Sequence, residues 1–162
     1  MYSQEILYLA SRVVSLANDK DLRVTTAESC TGGLISGAIT EIAGSSSVFN
    51  QAFVTYSNQS KTDLVAVPHE LLQQHGAVSS EVAAAMANGA RLAAKADIAI
   101  SVTGIAGPTG GTPEKPVGLV WFARSTIDGT ESWSQVFDNR GRSEVRQSAV
   151  QYALERVLDS LS

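Results

Sequence analysis

Residues 97–102 (DIAISV) are apolar at nearly every position and too few for a buried helix. A run of that length and character fits a strand covered on both faces, since a strand with one wet face alternates apolar and polar residues. It leads straight into residues 103–111 (TGIAGPTGG), a loop of small residues. A chain built around such a strand must supply helices for both sides of the sheet. The upstream sequence provides them. Within residues 3–17, Ile6, Leu7, Ala10, Val13, Val14 and Ala17 share one face of an amphipathic helix. Residues 23–27 (RVTTA) read as a strand, 28–33 (ESCTGG) as a tight turn, and 34–42 as a helix of apolar period. A second buried strand is expected over 52–56 (AFVTY), with Ser57 or Asn58 capping a helix that begins near Gln59.

Further along, a short helix over 68–74 ends at Gly76, and Ser79-Ser80-Glu81 opens an alanine-rich helix to about Lys95. Its alanine face over 81–95 offers a surface for a second copy, so a homo-oligomer is expected. After the central strand the pattern changes. Residues 117–125 and 131–137 read as strands joined through Asp128-Gly129, a hairpin signal, and 143–161 closes the chain as a helix. Strand–helix alternation followed by a hairpin predicts an α/β fold, a three-layer α/β/α sandwich with a mixed, mostly parallel sheet. The 162 residues suit one domain over 1–162.

Composition removes several function classes. A net charge of −4 gives no general attraction to nucleic acid or to an anionic membrane. The first twenty residues lack a basic start and a small-residue cleavage site, and no apolar run reaches membrane-spanning length, so the cytoplasm is the expected location. Cys30 is the single cysteine, and the histidines are His69 and His75 alone. No disulfide framework and no zinc set follow from these, and neither metal nor cofactor is expected.

In sheets of this kind ligands bind beyond the carboxyl ends of the strands, where both small-residue loops are expected. GIAGPTGG lacks the ending of a P-loop, ESCTGG lacks G-x-G-x-x-G, and no G-x-S-x-G elbow is present. These glycines either turn the chain tightly or offer backbone N–H groups to a phosphate or an oxyanion. Residues 44–61 (GSSSVFNQAFVTYSNQSK) bring serines, Tyr56 at a strand end and Lys61 in a first helical turn towards one mouth. A hydroxyl, a phenol and an amine together suit acyl transfer, provided burial lowers the lysine pKa. Ser29 and Cys30 sit where a helix start would assist a nucleophile, although Cys30 beside an apolar strand also suits a buried filler. Residues 139–146 (NRGRSEVR) add three arginines suited to a phosphate fork.

Five segments, TTAESCTGG, AGSS followed by FVTYSNQSK, HGAVS, SVTGIAGPTGG and KPVGLVWFA, resemble in order the C-terminal domain of the CinA family. The resemblance spans nearly the whole chain. It implies an α/β/α sandwich and, as in stand-alone members, hydrolysis of nicotinamide mononucleotide to nicotinate mononucleotide and ammonia in pyridine-nucleotide salvage. It places the catalytic serine, tyrosine and lysine on Ser46, Tyr56 and Lys61, with Ser29 and Ser45 competing for the serine role. Glu28, Ser29, Cys30, Thr31, Gly32, Gly33, Thr103, Gly104, Gly107 and Arg142 would then line the substrate pocket. This chain reads Arg140-Gly141-Arg142 where the family usually carries Gly-Asp-Arg. The family name also implies an alternative, a non-catalytic competence or DNA-damage accessory that binds a recombination protein.

Overall fold

Strands β1 (Val24–Glu28) and β3 (Ile98–Gly104) lie parallel at the centre of a five-stranded sheet in the computed structural model, which describes residues 1–162. The strand order is β2-β1-β3-β4-β5, with β2 (Phe53–Val54), β4 (Leu119–Thr126) and β5 (Gly129–Val136). The β2-β1-β3 half is parallel and the β3-β4-β5 half antiparallel, so the sheet is mixed as expected. Ile98 to Thr103 are all buried, which explains their apolar run: helices cover both faces there.

Helices α1 (Gln4–Asp19), α2 (Leu34–Thr40) and α6 (Arg142–Leu158) cover one face. Helices α3 (Asn58–Val65), α4 (His69–His75) and α5 (Ser80–Ala94) cover the other. The first face holds the larger core, where Ile6, Val13, Ile35, Ile100, Val102, Phe122, Val145 and Leu154 meet. The opposite core is small, built on Ala27, Ala99, Val65, Val82 and Met86. A small residue lets neighbouring helices of this layer approach closely: a methyl group added at Gly89 of α5 would run into the Val65 carbonyl of α3. Ser3, Ser57 and Ser79 each accept a hydrogen bond from a first-turn N–H of their helix, as N-caps do.

Two boundaries differ from expectation. The hairpin register pairs Thr126 with Gly129, so Ile127 and Asp128 occupy the turn and Gly129 already belongs to β5. β2 has two residues instead of five. Thr55 N–H still donates to the Glu28 carbonyl at 2.8 Å, but the chain then leaves the sheet and turns carbonyls towards Lys61. No helix is long and apolar enough to cross a membrane.

From β1 the chain crosses to β2 on one side and then returns past β1 to β3 on the other. The carboxyl ends of β1 and β3 therefore diverge at a topological switch point, the usual crevice for a ligand in an open α/β sheet.

Candidate active site

At that crevice β1 ends on Glu28, whose side chain is fully buried. Its carboxylate accepts from Thr31 Oγ1 at 2.7 Å, Ile35 N at 2.8 Å, Ser36 N at 3.0 Å, Ser36 Oγ and, more weakly, Thr26 Oγ1. Every lone pair has a donor, so a charge that would otherwise be costly to bury is satisfied by the turn and the first N–H groups of α2. This corrects the place given to Glu28 in the substrate pocket: its carboxylate is spent on the turn, and the Ile35 and Ser36 N–H groups at the α2 start are closed to a ligand.

The next residue, Ser29, is fixed through its N–H to the Val102 carbonyl at 2.9 Å. Its Oγ stands 3.0 Å from Nζ of Lys61, which reaches across from the first turn of α3. Lys61 is 1% exposed, and its remaining partners are the carbonyls of Thr55 at 2.8 Å and Tyr56 at 3.5 Å. Burial pushes its pKa down to about 8, because the ammonium is separated from water without a carboxylate beside it. The donor inventory then fixes a direction. Carbonyls only accept, so a neutral amine spends its two N–H groups on Thr55 and Tyr56, and its lone pair is left facing the Ser29 hydroxyl.

Ser46 does not share this mouth. It sits exposed in a 3₁₀ turn, Ser45–Ser47, that precedes Val48, and the Val48 carbonyl accepts from Val24 N–H at the opposite end of β1. Four strand steps separate Val24 from Glu28, on the order of 13 Å. Ser45 and Ser47 belong to the same remote turn. The sequence contiguity of residues 44–61 misled here because the segment from Phe49, bridged to Val24, to Val54, paired with Glu28, runs the length of β1 between the serines and Tyr56.

Tyr56 lies at the rim, 60% exposed, and its phenol oxygen accepts from Arg142 NH2 at 3.0 Å. Arg142 also donates from NH1 to the Gly107 carbonyl at 3.0 Å, joining α6, the second small-residue loop and the tyrosine. Lys61 contacts the backbone of Tyr56 and not its phenol. Cys30 is buried, and burial pushes its thiol up to about 12, so it is a filler and not a nucleophile. Thr31 is spent on Glu28, and Thr103 Oγ1 donates to the Ala77 carbonyl at 2.9 Å. Gly32 and Gly33 take φ of +57° and +99°, as this sharp strand-to-helix turn demands. Gly104 and Gly107 are set by packing: a Cβ there would stand 2.7 Å from Val120 Cγ2 and 2.5 Å from Val117 Cγ1.

Two roles were not foreseen. The Thr55 carbonyl holds Lys61, and Arg146, read from the sequence only as one of three arginines suited to a phosphate, donates from Nε to the Cys30 carbonyl at 3.0 Å and from NH2 to the Thr31 carbonyl at 3.2 Å. The signal for Arg146 was present in the i, i+4 spacing of Arg142 and Arg146, which puts both on one face of α6. A cavity of about 690 Å³ lies at the opposite end of the sheet, beside Arg91, Arg124 and the hairpin, remote from Ser29 and Lys61.

A CinA C-terminal domain family model matches residues 7–161. The chain belongs to the CinA C-terminal domain family. Among its relatives, the nicotinamide-nucleotide amidohydrolase PncC of Shigella flexneri is 49% identical over 156 residues, covering 96% of this chain and 94% of that protein. The Escherichia coli protein of the same name is 48% identical, with the same coverage. The crystal structure of the competence/damage inducible protein CihA from Agrobacterium tumefaciens superposes with a TM-score of 0.96 at 46% identity, over 99% of this chain and 98% of that one. The α/β sandwich described above is thus that of CinA C-terminal domains, and the PncC relatives share it over nearly their whole length.

Proposed function

We propose that this chain is an amidohydrolase that converts nicotinamide mononucleotide to nicotinate mononucleotide and ammonia, with Ser29 as nucleophile and Lys61 as its base. The observation that carries the assignment of roles is the 3.0 Å contact between Ser29 Oγ and the buried Nζ of Lys61. The names and near-complete coverage of the PncC relatives support the substrate.

Ser29 Oγ adds to the carboxamide carbon while its proton passes to Nζ of Lys61. The C–N bond then breaks as Lys61 returns that proton to the departing nitrogen, which leaves as ammonia. A nicotinoyl ester on Ser29 remains. Water adds to this ester with Lys61 again taking a proton, the ester C–O bond breaks, and the proton restores the Ser29 hydroxyl. With a pKa of about 8, roughly one lysine in ten is neutral at pH 7. The cationic pyridinium ring raises that fraction by like-charge repulsion once substrate is bound. At the rim, Arg142 supplies charge for the phosphate, and Tyr56 keeps its own O–H free to donate because its oxygen accepts from Arg142.

The deciding experiment measures ammonia release from nicotinamide mononucleotide by the parent, Ser29→Ala and Ser46→Ala proteins. Release by the parent and by Ser46→Ala, with none from Ser29→Ala, is expected. Loss in Ser46→Ala alone overturns the role given to Ser29. A folded parent that releases no ammonia overturns the reaction and favours the accessory-protein alternative.

A further inference from the structure

The turn that carries Ser29 has an unusual hydrogen-bond account. Gly32 N–H donates to the Ser29 carbonyl at 3.0 Å, and Leu34 N–H donates to the Thr31 carbonyl at 3.0 Å. The N–H groups of Cys30, Thr31 and Gly33 have no carbonyl partner, and the first two directly follow Ser29. Buried backbone donors are almost always paired, so two free N–H groups on the residues just after a nucleophile call for an explanation.

Arg146 supplies it. A trans peptide holds its C=O and N–H in opposite directions within one plane. Arg146 Nε grips the Cys30 carbonyl, so the plane that also carries the Thr31 N–H is fixed with that N–H turned away from the guanidinium. Arg146 NH2 grips the Thr31 carbonyl, which fixes the next plane. That plane's Gly32 N–H holds the Ser29 carbonyl, and the Ser29 carbonyl shares its own plane with the Cys30 N–H. One guanidinium therefore sets the Thr31 donor directly and the Cys30 donor through Gly32. The clamp has a rigid base, because Val145, Ala149 and Val150 of α6 are wholly buried around it. A charged donor on a peptide carbonyl also polarises that peptide, making its N–H a stronger donor.

We propose that Arg146 is a positioning residue for the oxyanion: it aims and polarises the Cys30 and Thr31 N–H groups at the oxygen that becomes negative when Ser29 adds to the carboxamide. This rests on the Ser29 reading above. It differs from the part given to Arg142, whose guanidinium lies at the rim on Tyr56 and Gly107. Lysine cannot replace Arg146, since one ammonium lacks the planar fork that bridges two carbonyls.

The test compares kcat, KM and the pH dependence of kcat/KM for parent, Arg146→Met and Arg146→Lys proteins on nicotinamide mononucleotide. Losing aimed oxyanion donors costs about 100-fold in turnover, so kcat should fall about 30- to 100-fold in Arg146→Met. KM should stay within about threefold, because the ground-state carboxamide is held little by these donors. The rise of kcat/KM with pH should keep its midpoint, since the Lys61–Ser29 contact is untouched. Arg146→Lys should recover less than about tenfold, and added guanidinium should partly restore Arg146→Met. A folded Arg146→Met protein with kcat within about threefold of the parent overturns the proposal. So does a loss that appears in KM, or a displaced pH midpoint, either of which marks substrate binding or a general loosening. If Arg146→Met does not fold, the same readings on Arg146→Lys decide. A parent without ammonia release sinks the amidohydrolase reading and this role with it. An active parent whose Arg146 variants are unimpaired sinks this role alone.

Discussion

Replacing Lys61 with methionine should destroy activity and yet stabilise the protein at neutral pH. The side chain is 1% exposed, and its surroundings lower the pKa from 10.5 to about 8. At about 1.4 kcal/mol per pH unit, holding the charged form at pH 7 costs about 3 kcal/mol. Methionine fills a similar volume without a charge. It also strips the Thr55 carbonyl of its 2.8 Å donor, which returns about 1–2 kcal/mol of the gain. The variant should therefore be about 1–2 kcal/mol more stable at pH 7. The sharper signature lies in pH. Because the pKa is lower in the folded protein, the unfolded chain binds the extra proton between about pH 8 and 10.5, and parent stability rises through that window. Below pH 8 the full penalty is present; above 10.5 it is gone. Urea unfolding of both proteins in half-unit steps from pH 7 to 10.5 should show the difference moving by about 3 kcal/mol in the parent's favour. Every other titrating group cancels in that difference. A constant difference across the window would refute the burial argument, and unchanged ammonia release by Lys61→Met would refute its role as base.

The parent's kcat/KM for ammonia release should climb tenfold per pH unit below about pH 8 and level off above it, following the neutral fraction of Lys61 in the free enzyme; a flat kcat/KM profile from pH 6 to 8 excludes lysine as the base. Glu28→Gln places an amide NH2 against either Ile35 N–H or Ser36 N–H and should lower stability by about 2–3 kcal/mol, read from urea unfolding. A loss under 0.5 kcal/mol would mean the turn re-pairs easily. Gly89→Ala forces α5 away from the Val65 carbonyl of α3 and should cost more than about 2 kcal/mol, seen as a lowered Tm, with Lys61 displaced and kcat reduced alongside. An unchanged Tm there would show that the helices have slack.

The fold was legible because its signals are local and agree with one another. The buried run of β3, the serine caps of α3 and α5, and the switch from helix alternation to hairpin each follow from neighbouring residues. The candidate site was legible only in part, for a reason that β1 makes plain. Residues 44–61 are continuous in sequence, but the chain enters the sheet at Val24 and leaves it at Glu28, so the serines and Lys61 end at opposite edges. Ser29 and Lys61 are 32 residues apart and meet only because β1 and β2 pair in register, Ala27 with Phe53 and Glu28 with Val54. Glu28 illustrates the converse. The resemblance puts this carboxylate in the substrate pocket, yet a group that already binds the N–H groups of Ile35 and Ser36 has nothing left to offer a ligand. Its charge is needed where it is: without it the α2 start would present unpaired donors beside Ser29 and attract any anion. With it, the free donors narrow to the turn itself, where Arg146 holds the peptides of Cys30 and Thr31 from behind. Lysine and not histidine then suits the base position. A buried amine flanked by two carbonyls satisfies both and has one direction left for its lone pair, whereas a neutral imidazole has a single N–H and would leave one of those carbonyls without a donor.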